Sequence, residues 1–158
     1  MDLRDSLTLL CWVKGQNGAI LTYRQRVEDT QNAVLLSIWR GTLEVSFSPS
    51  FNSLTHPYTL PNVWHFVGAS YNSTSKIGEL WFDGVMVASA RIGNFDYDLG
   101  NVRVGIDSSP YGGDGSADDF EGRISRVRIY NVTLTQEQVQ EIQAQVGKNI
   151  RRIPHFYY

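Results

Sequence analysis

With 158 residues, 42% of them hydrophobic and 12% aromatic, the chain has the size and composition of one folded domain with a real core rather than a disordered segment. A formal net charge of −2 excludes the strongly basic balance of a general nucleic-acid binder. No apolar run approaches the ~20 residues that cross a bilayer, so membrane insertion is not expected. The opening Met1-Asp2-Leu3-Arg4-Asp5 carries no hydrophobic leader, which predicts a piece of a larger protein.

Strand signals recur at short spacing from residue 7 onward, the pattern of a β-sandwich. The first run, 7–14, holds the lone cysteine, Cys11, among apolar neighbours. Its thiol is expected to act as a small buried hydrophobe, and one cysteine admits no intramolecular disulfide. After Gly15-Gln16-Asn17-Gly18 comes 19–24. The runs 33–39 and 42–47 flank Arg40-Gly41, and 63–71 leads into the polar Asn72-Ser73-Thr74-Ser75. Runs 78–82 and 85–91 flank Asp83-Gly84, a pair that tolerates the positive φ of a two-residue hairpin turn. In 102–106, Val102, Val104 and Ile106 alternate with Arg103 and Gly105, as one buried face requires. The last strand run is 123–130.

One helix follows. Thr135 and Gln138 form a capping box, and Leu134 and Val139 occupy the positions of a hydrophobic staple. Val139, Ile142 and Val146 line one face, and Gly147 is placed to end the helix. A single apolar stripe predicts that it lies against the sandwich. The chain therefore reads as one domain over 1–147 and a basic then aromatic tail over 148–158.

Several of these segments, in this order, carry a family resemblance. Trp64-His65-Phe66-Val67-Gly68-Ala69-Ser70-Tyr71 with Gly78-Glu79-Leu80-Trp81-Phe82-Asp83-Gly84-Val85 resembles the central hairpin of laminin-G-like and pentraxin domains. Residues 120–131 resemble their last core strand, 134–139 the helix that follows, and 6–14 an early strand. The resemblance implies an all-β fold, a concanavalin A-like jelly-roll sandwich of two antiparallel sheets, with one short C-terminal helix. Cys11 stands where pentraxins have one half of a disulfide, and Val67 stands at the other half, so that bridge is absent. The family's opening strand is also missing, and the tail at 148–158 is expected to cover the edge this leaves. An uncovered edge would pair with another chain and give a homo-oligomer.

The resemblance also implies calcium as a cofactor. In pentraxins the loop corresponding to 107–119 supplies ion ligands, with partners on a loop resembling Glu28-Asp29-Thr30-Gln31-Asn32. Asn32 and Asp107 match ligand positions, and Asp29, Asp114, Asp118 and Asp119 complete the candidate set, since a hard cation gathers several oxygens from flexible loops. Ser109 and Gln31 fall where pentraxins have carboxylates, and Ser125 where many laminin-G-like relatives have Asp, so the set is thinner than the family's. The plain alternative is a solvated acidic stretch whose Asp and Gly serve turns.

Other candidates come from the residues alone. Trp39, beside the Arg40-Gly41 turn, and Tyr111, in the acidic stretch, are placed at a rim where a sugar ring could stack, whereas Trp12, Trp64 and Trp81 lie in core-like runs and read as packing. Arg126 and Arg128 share a strand face by the two-residue period and form a basic strip of the kind laminin-G-like domains use for sulfated glycans, or an ordinary solvated face. Asn72-Ser73-Thr74 and Asn131-Val132-Thr133 are N-glycosylation sequons, which favour a secreted chain or the extracellular part of a membrane protein. No closely spaced carboxylate set of the glycosidase kind occurs on one strand face. The function expected is a non-catalytic extracellular recognition module for glycan or protein ligands, assisted by calcium. The alternatives are a structural or oligomerisation module and, more remotely, a glycan-processing enzyme.

Overall fold

A computed structural model describes residues 6–24, 32–47, 52–93, 101–105 and 119–145. Ten strands and one helix follow in chain order: β1 (Ser6–Gly15), β2 (Gly18–Arg24), β3 (Asn32–Trp39), β4 (Thr42–Phe47), β5 (Asn52–Pro57), β6 (His65–Asn72), β7 (Ile77–Phe82), β8 (Val85–Arg91), β9 (Asn101–Val104), β10 (Gly122–Tyr130) and α1 (Gln136–Ala144). They form two five-stranded sheets, ordered β10-β1-β6-β7-β8 and β5-β4-β3-β2-β9, antiparallel throughout. The expected two-sheet jelly roll is what the chain adopts.

Alternation decides which face each strand buries. On β1, Leu7, Leu9, Cys11 and Val13 enter the core between the sheets, meeting Ile20, Leu21, Val34, Leu36, Ile38, Leu43, Val45 and Phe47. The opposite face of the same strand is apolar too, because α1 covers it. Leu10, Phe66 and Trp81 pack there with Leu134 and Val139, and Trp12, Tyr130 and Ile142 close the cluster. The helix is fixed at both levels the sequence predicts. Thr135 accepts from the Gln138 amide while the Gln138 side chain accepts from the Thr135 amide. Val139, the staple residue, is fully buried. Two more bonds tie the helix to the β7–β8 turn, from the Gln140 amide to the Gly84 carbonyl and from the Met86 N–H to Gln136. Val146, Gly147 and the tail at 148–158 lie outside the described residues.

The Asp83-Gly84 turn has the positive φ values expected of it, 49° and 81°, and Arg40-Gly41 repeats the geometry at 48° and 78°. Four details depart from the sequence reading. β5 was not anticipated: its only buried apolar residue is Leu54, because it is an edge strand whose other side chains face solvent or are half-buried. β6 starts at His65, leaving Val63 50% and Trp64 39% exposed, so Trp64 is not a core residue. Val104 is 45% exposed although it pairs with Leu21, since four-residue β9 is also an edge. Finally, β10 is bulged: Leu10 pairs with Arg128 but Trp12 with Ser125, and Arg126 takes φ 54°.

That bulge corrects the predicted arginine strip. The extra residue breaks the two-residue period, so Arg128 and Ser125, rather than Arg128 and Arg126, occupy equivalent places on the helix-covered face. Arg126 is exposed and Arg128 half-buried. Among the described residues β10 pairs with β1 alone, and a bulge plus arginines on such a strand are features that blunt an edge against further pairing.

Candidate functional site

The chain crosses from one sheet to the other at a single end of the sandwich in two described places, and this builds the site. Gly15-Gln16-Asn17-Gly18 links β1 to β2, and residues 58–64 link β5 to β6. At the first crossing Gly18 has φ 107°, and a Cβ on it would collide with the Asp119 backbone, so only glycine fits the corner. The incoming end of β10 packs beside it: Glu121 N–H donates to the Asn17 carbonyl at 2.8 Å, and Gln16 N–H to the Glu121 carbonyl at 3.2 Å.

Between these segments lies a cleft of ≈ 440 Å³ lined by Lys14, Gly15, Gln16, Pro61, Asn62, Glu121, Gly122 and Arg123, within the range usual for ligand sites. Its walls are polar. Gln16 Nε2 donates to Glu121 Oε2 at 3.1 Å, which fixes that carboxylate against the β1–β2 turn. Lys14 and Arg123 are direct partners across the β1–β10 pair, so their side chains leave the same face.

The second crossing is anchored by His65. Its Nδ1 lies 2.9 Å from Asp83 Oδ2 and its Nε2 3.0 Å from the Leu60 carbonyl. Asp83 Oδ1 also accepts from the Phe66 N–H at 2.9 Å, so one carboxylate organises both the hairpin turn and the histidine. The imidazole stacks on Phe82 at 4.9 Å and meets Tyr58 edge-on at 5.1 Å. This clamp holds the stretch that carries Pro61 and Asn62 to the cleft. Tyr58 is 2% exposed, and among the described residues its hydroxyl has no partner of good hydrogen-bond geometry, its approach to the Gly15 backbone falling short of one. Burial pushes its pKa up, the Gly15 backbone lowers it and the Asp83 charge raises it. Because an unpaired buried hydroxyl costs stability, Tyr58→Phe is expected to leave the melting temperature unchanged or raise it by up to about 3 °C. A fall of several degrees in a thermal melt would show that the hydroxyl has a partner in solution.

Trp39 belongs to the same end. It closes β3 and is 45% exposed, with the Arg40 guanidinium 5.6 Å from its ring centre. The Arg40 N–H donates to Asn17 Oδ1 at 3.2 Å, tying the β3–β4 turn to the residue next to Gln16. Trp39 therefore shares this end of the sandwich with the cleft without lining it. Sequence reasoning selected Trp39 and missed Lys14, Gln16, Asn62, Glu121 and Arg123. These come from three distant segments, and only the β1–β10 register and the second crossing bring them together.

Only some of the other predicted residues fall among those described. Asp29, Asp107, Asp114, Asp118 and Tyr111 lie outside the described residues. Asn32 and Asp119 are not neighbours: Asn32 pairs with Arg24 at the end of β2, while Asp119 bridges to Ala19 near its start. Five residues of strand, roughly 16 Å, separate those points. Among the described residues no three His, Cys, Asp or Glu side chains gather as a metal site. Asn72 and Asn131 lie at the far ends of β6 and β10. Asn72 Oδ1 accepts from the Thr74 and Ser75 amides, and Asn131 is exposed. Cys11 is fully buried, which pushes its thiol pKa far up and leaves it unreactive. Glu79 accepts from Ser70 Oγ, which in turn accepts from Trp81 Nε1, all on the sheet face that α1 covers. No helix among the described residues is long and apolar enough to cross a membrane.

The fold is that of a concanavalin A-like domain. A laminin-G-like family model matches residues 1–140, and the chain belongs to the concanavalin A-like lectin/glucanases superfamily. No curated protein sequence matches it. Among solved structures, it is similar to a native heptameric SAP-like pentraxin from Limulus polyphemus, at 16% identity and TM-score 0.71, over 99% of this chain and 89% of that one. It is also similar to the CBM40 module of the IT-sialidase from Ruminococcus gnavus bound to alpha2,3 sialyllactose, at 17% identity and TM-score 0.69, over 87% and 82% of the two chains. A third similar structure is a putative carbohydrate binding protein from Bacteroides ovatus, at 19% identity and TM-score 0.67, over 87% of this chain and 40% of that one.

Proposed function

We propose that the chain is a non-catalytic glycan-recognition module whose binding surface is the turn end of the sandwich, with Trp39 as its aromatic platform. The observation that carries this is the exposed indole of Trp39, with the Arg40 guanidinium over its ring, at the same end of the sandwich as the polar cleft. Sugar rings present an apolar face and a rim of hydroxyls, and an exposed aromatic and a polar cleft at one end of the domain offer partners for each. Superfamily membership supports the reading, as do the sialyllactose bound to one of the similar structures and the naming of another as a putative carbohydrate binding protein. Glu79 and Asp83 are engaged with Ser70 and with His65 and the Phe66 amide, which favours binding over turnover.

The test is a glycan array followed by titration of the best ligands against wild type and Trp39→Ala. Wild type binds, and the variant loses about tenfold in affinity, about 1.4 kcal/mol, with its melting temperature unchanged. Equal affinity in both proteins would remove Trp39 from the site, and no glycan binding by wild type would remove the function.

An extracellular address and calcium are separable parts of the proposal. The two sequons support the first: on secretory expression, a glycosidase should lower the mass of the protein, and an unchanged mass would count against it. The second rests on the pentraxin-like stretches around 29–32 and 107–119. Calcium should raise the melting temperature relative to a chelator, since a ligand held only by the folded state stabilises it. Identical melts would remove the ion.

A further inference from the structure

Lys14 and Arg123 face each other directly across β1 and β10, and both line the cleft. Like charges at opposed positions of an antiparallel pair destabilise it. Neither side chain has an ion pair or hydrogen bond among the described residues. The one carboxylate of the cleft, Glu121, is held by Gln16 instead. Two cations thus stand side by side on a concave polar surface, with no carboxylate paired directly to either among the described residues.

Resting on the glycan reading above, we infer that this cleft takes the acidic group of a carboxylated sugar, held between Lys14 and Arg123. The charge count sets the class. Lys14 and Arg123 against Glu121 leave one net positive charge, which matches a single carboxylate. A densely sulfated chain would bring several anionic groups against Glu121 and be repelled there. Arg123 offers a planar fork suited to a carboxylate, and Lys14 a point charge beside it. Gln16 and Asn62 supply donors and acceptors for hydroxyls around the ring.

The experiment compares oligosaccharides of one backbone ending in glucuronate or in glucose, and adds heparin, using wild type and the Lys14→Gln/Arg123→Gln double variant. Wild type binds the glucuronate-ended sugar about tenfold tighter than the glucose-ended one, and the preference fades as salt rises. In the double variant the two affinities converge. Equal affinity for the two sugars in wild type overturns the inference and leaves the glycan function standing. So does a preference that survives in the double variant, or tightest binding to heparin. Binding of neither sugar overturns both readings.

A second readout needs no ligand. Removing one of the opposed charges in Lys14→Gln should raise the melting temperature by about 1–2 °C. Free glucuronate should raise the melting temperature of wild type but not of the double variant. A fall in the first, or an equal rise in the second, would mean that the cations are already compensated.

Discussion

Gly68→Val should lower the melting temperature by about 6–12 °C or prevent soluble expression. Gly68 lies in β6 at the middle of the helix-covered sheet, paired with Leu10 on one side and Trp81 on the other. A Cβ there would run into the Leu9 carbonyl and the Leu10 side chain. Leu10 is fully buried beneath α1, so neither group can withdraw without disturbing the packing of Phe66, Trp81 and Val139. Overpacking of this kind costs about 3 kcal/mol or more, and each kcal/mol moves the midpoint of a domain this size by about 2–4 °C. A melt within 2 °C of wild type would mean that β1 and β6 can separate locally, contrary to the packing described.

His65→Ala should cost about 2–4 kcal/mol, and it should weaken ligand binding as well. The substitution strips a partner from the Asp83 carboxylate and from the Leu60 carbonyl, and it leaves a gap between Tyr58 and Phe82. Because His65 pins the segment that carries Pro61 and Asn62, the loss reaches the cleft. Hydrogen exchange should therefore speed up over 58–64 beyond what the fall in global stability explains. Asp83→Asn should cost less, since an amide oxygen can still accept from the Phe66 N–H. Unchanged exchange over 58–64 in His65→Ala would separate the clamp from the site.

The fold was largely legible in the sequence because its signals are local. A continuous apolar run marks β1, alternation marks β4, the Asp83-Gly84 pair dictates its hairpin, and Thr135 with Gln138 announces the helix. What escaped notice depends on partners. β5 has only Leu54 to signal burial, so its strand character comes from pairing with β4. The bulge at Arg126 arises from accommodating β1, and no residue type there demands it. Trp64 reads as core beside His65 and Phe66, yet it precedes the strand and faces out.

The site was less legible for the same reason. Trp39 is marked by its place beside a turn. Lys14 and Arg123 look like ordinary strand cations until the register sets them opposite one another. Gln16 and Asn17 look like turn residues, which they are, and they also hold Glu121 and the Arg40 turn in place. The acidic stretch at 107–119 drew attention by composition alone. Its described end, Asp119, lies beside Ala19, far along β2 from Asn32.

The location of the ligand is the central claim, and NMR shift mapping tests it most directly. Backbone amide and tryptophan side-chain signals would be followed while the tightest glycan from the array is titrated in. The largest changes are expected at Gln16, Trp39, Asn62 and Arg123, together with the indole N–H of Trp39. Changes confined to Arg24, Asn32 and Asn101, at the far end of β2, with those four residues silent, would contradict it.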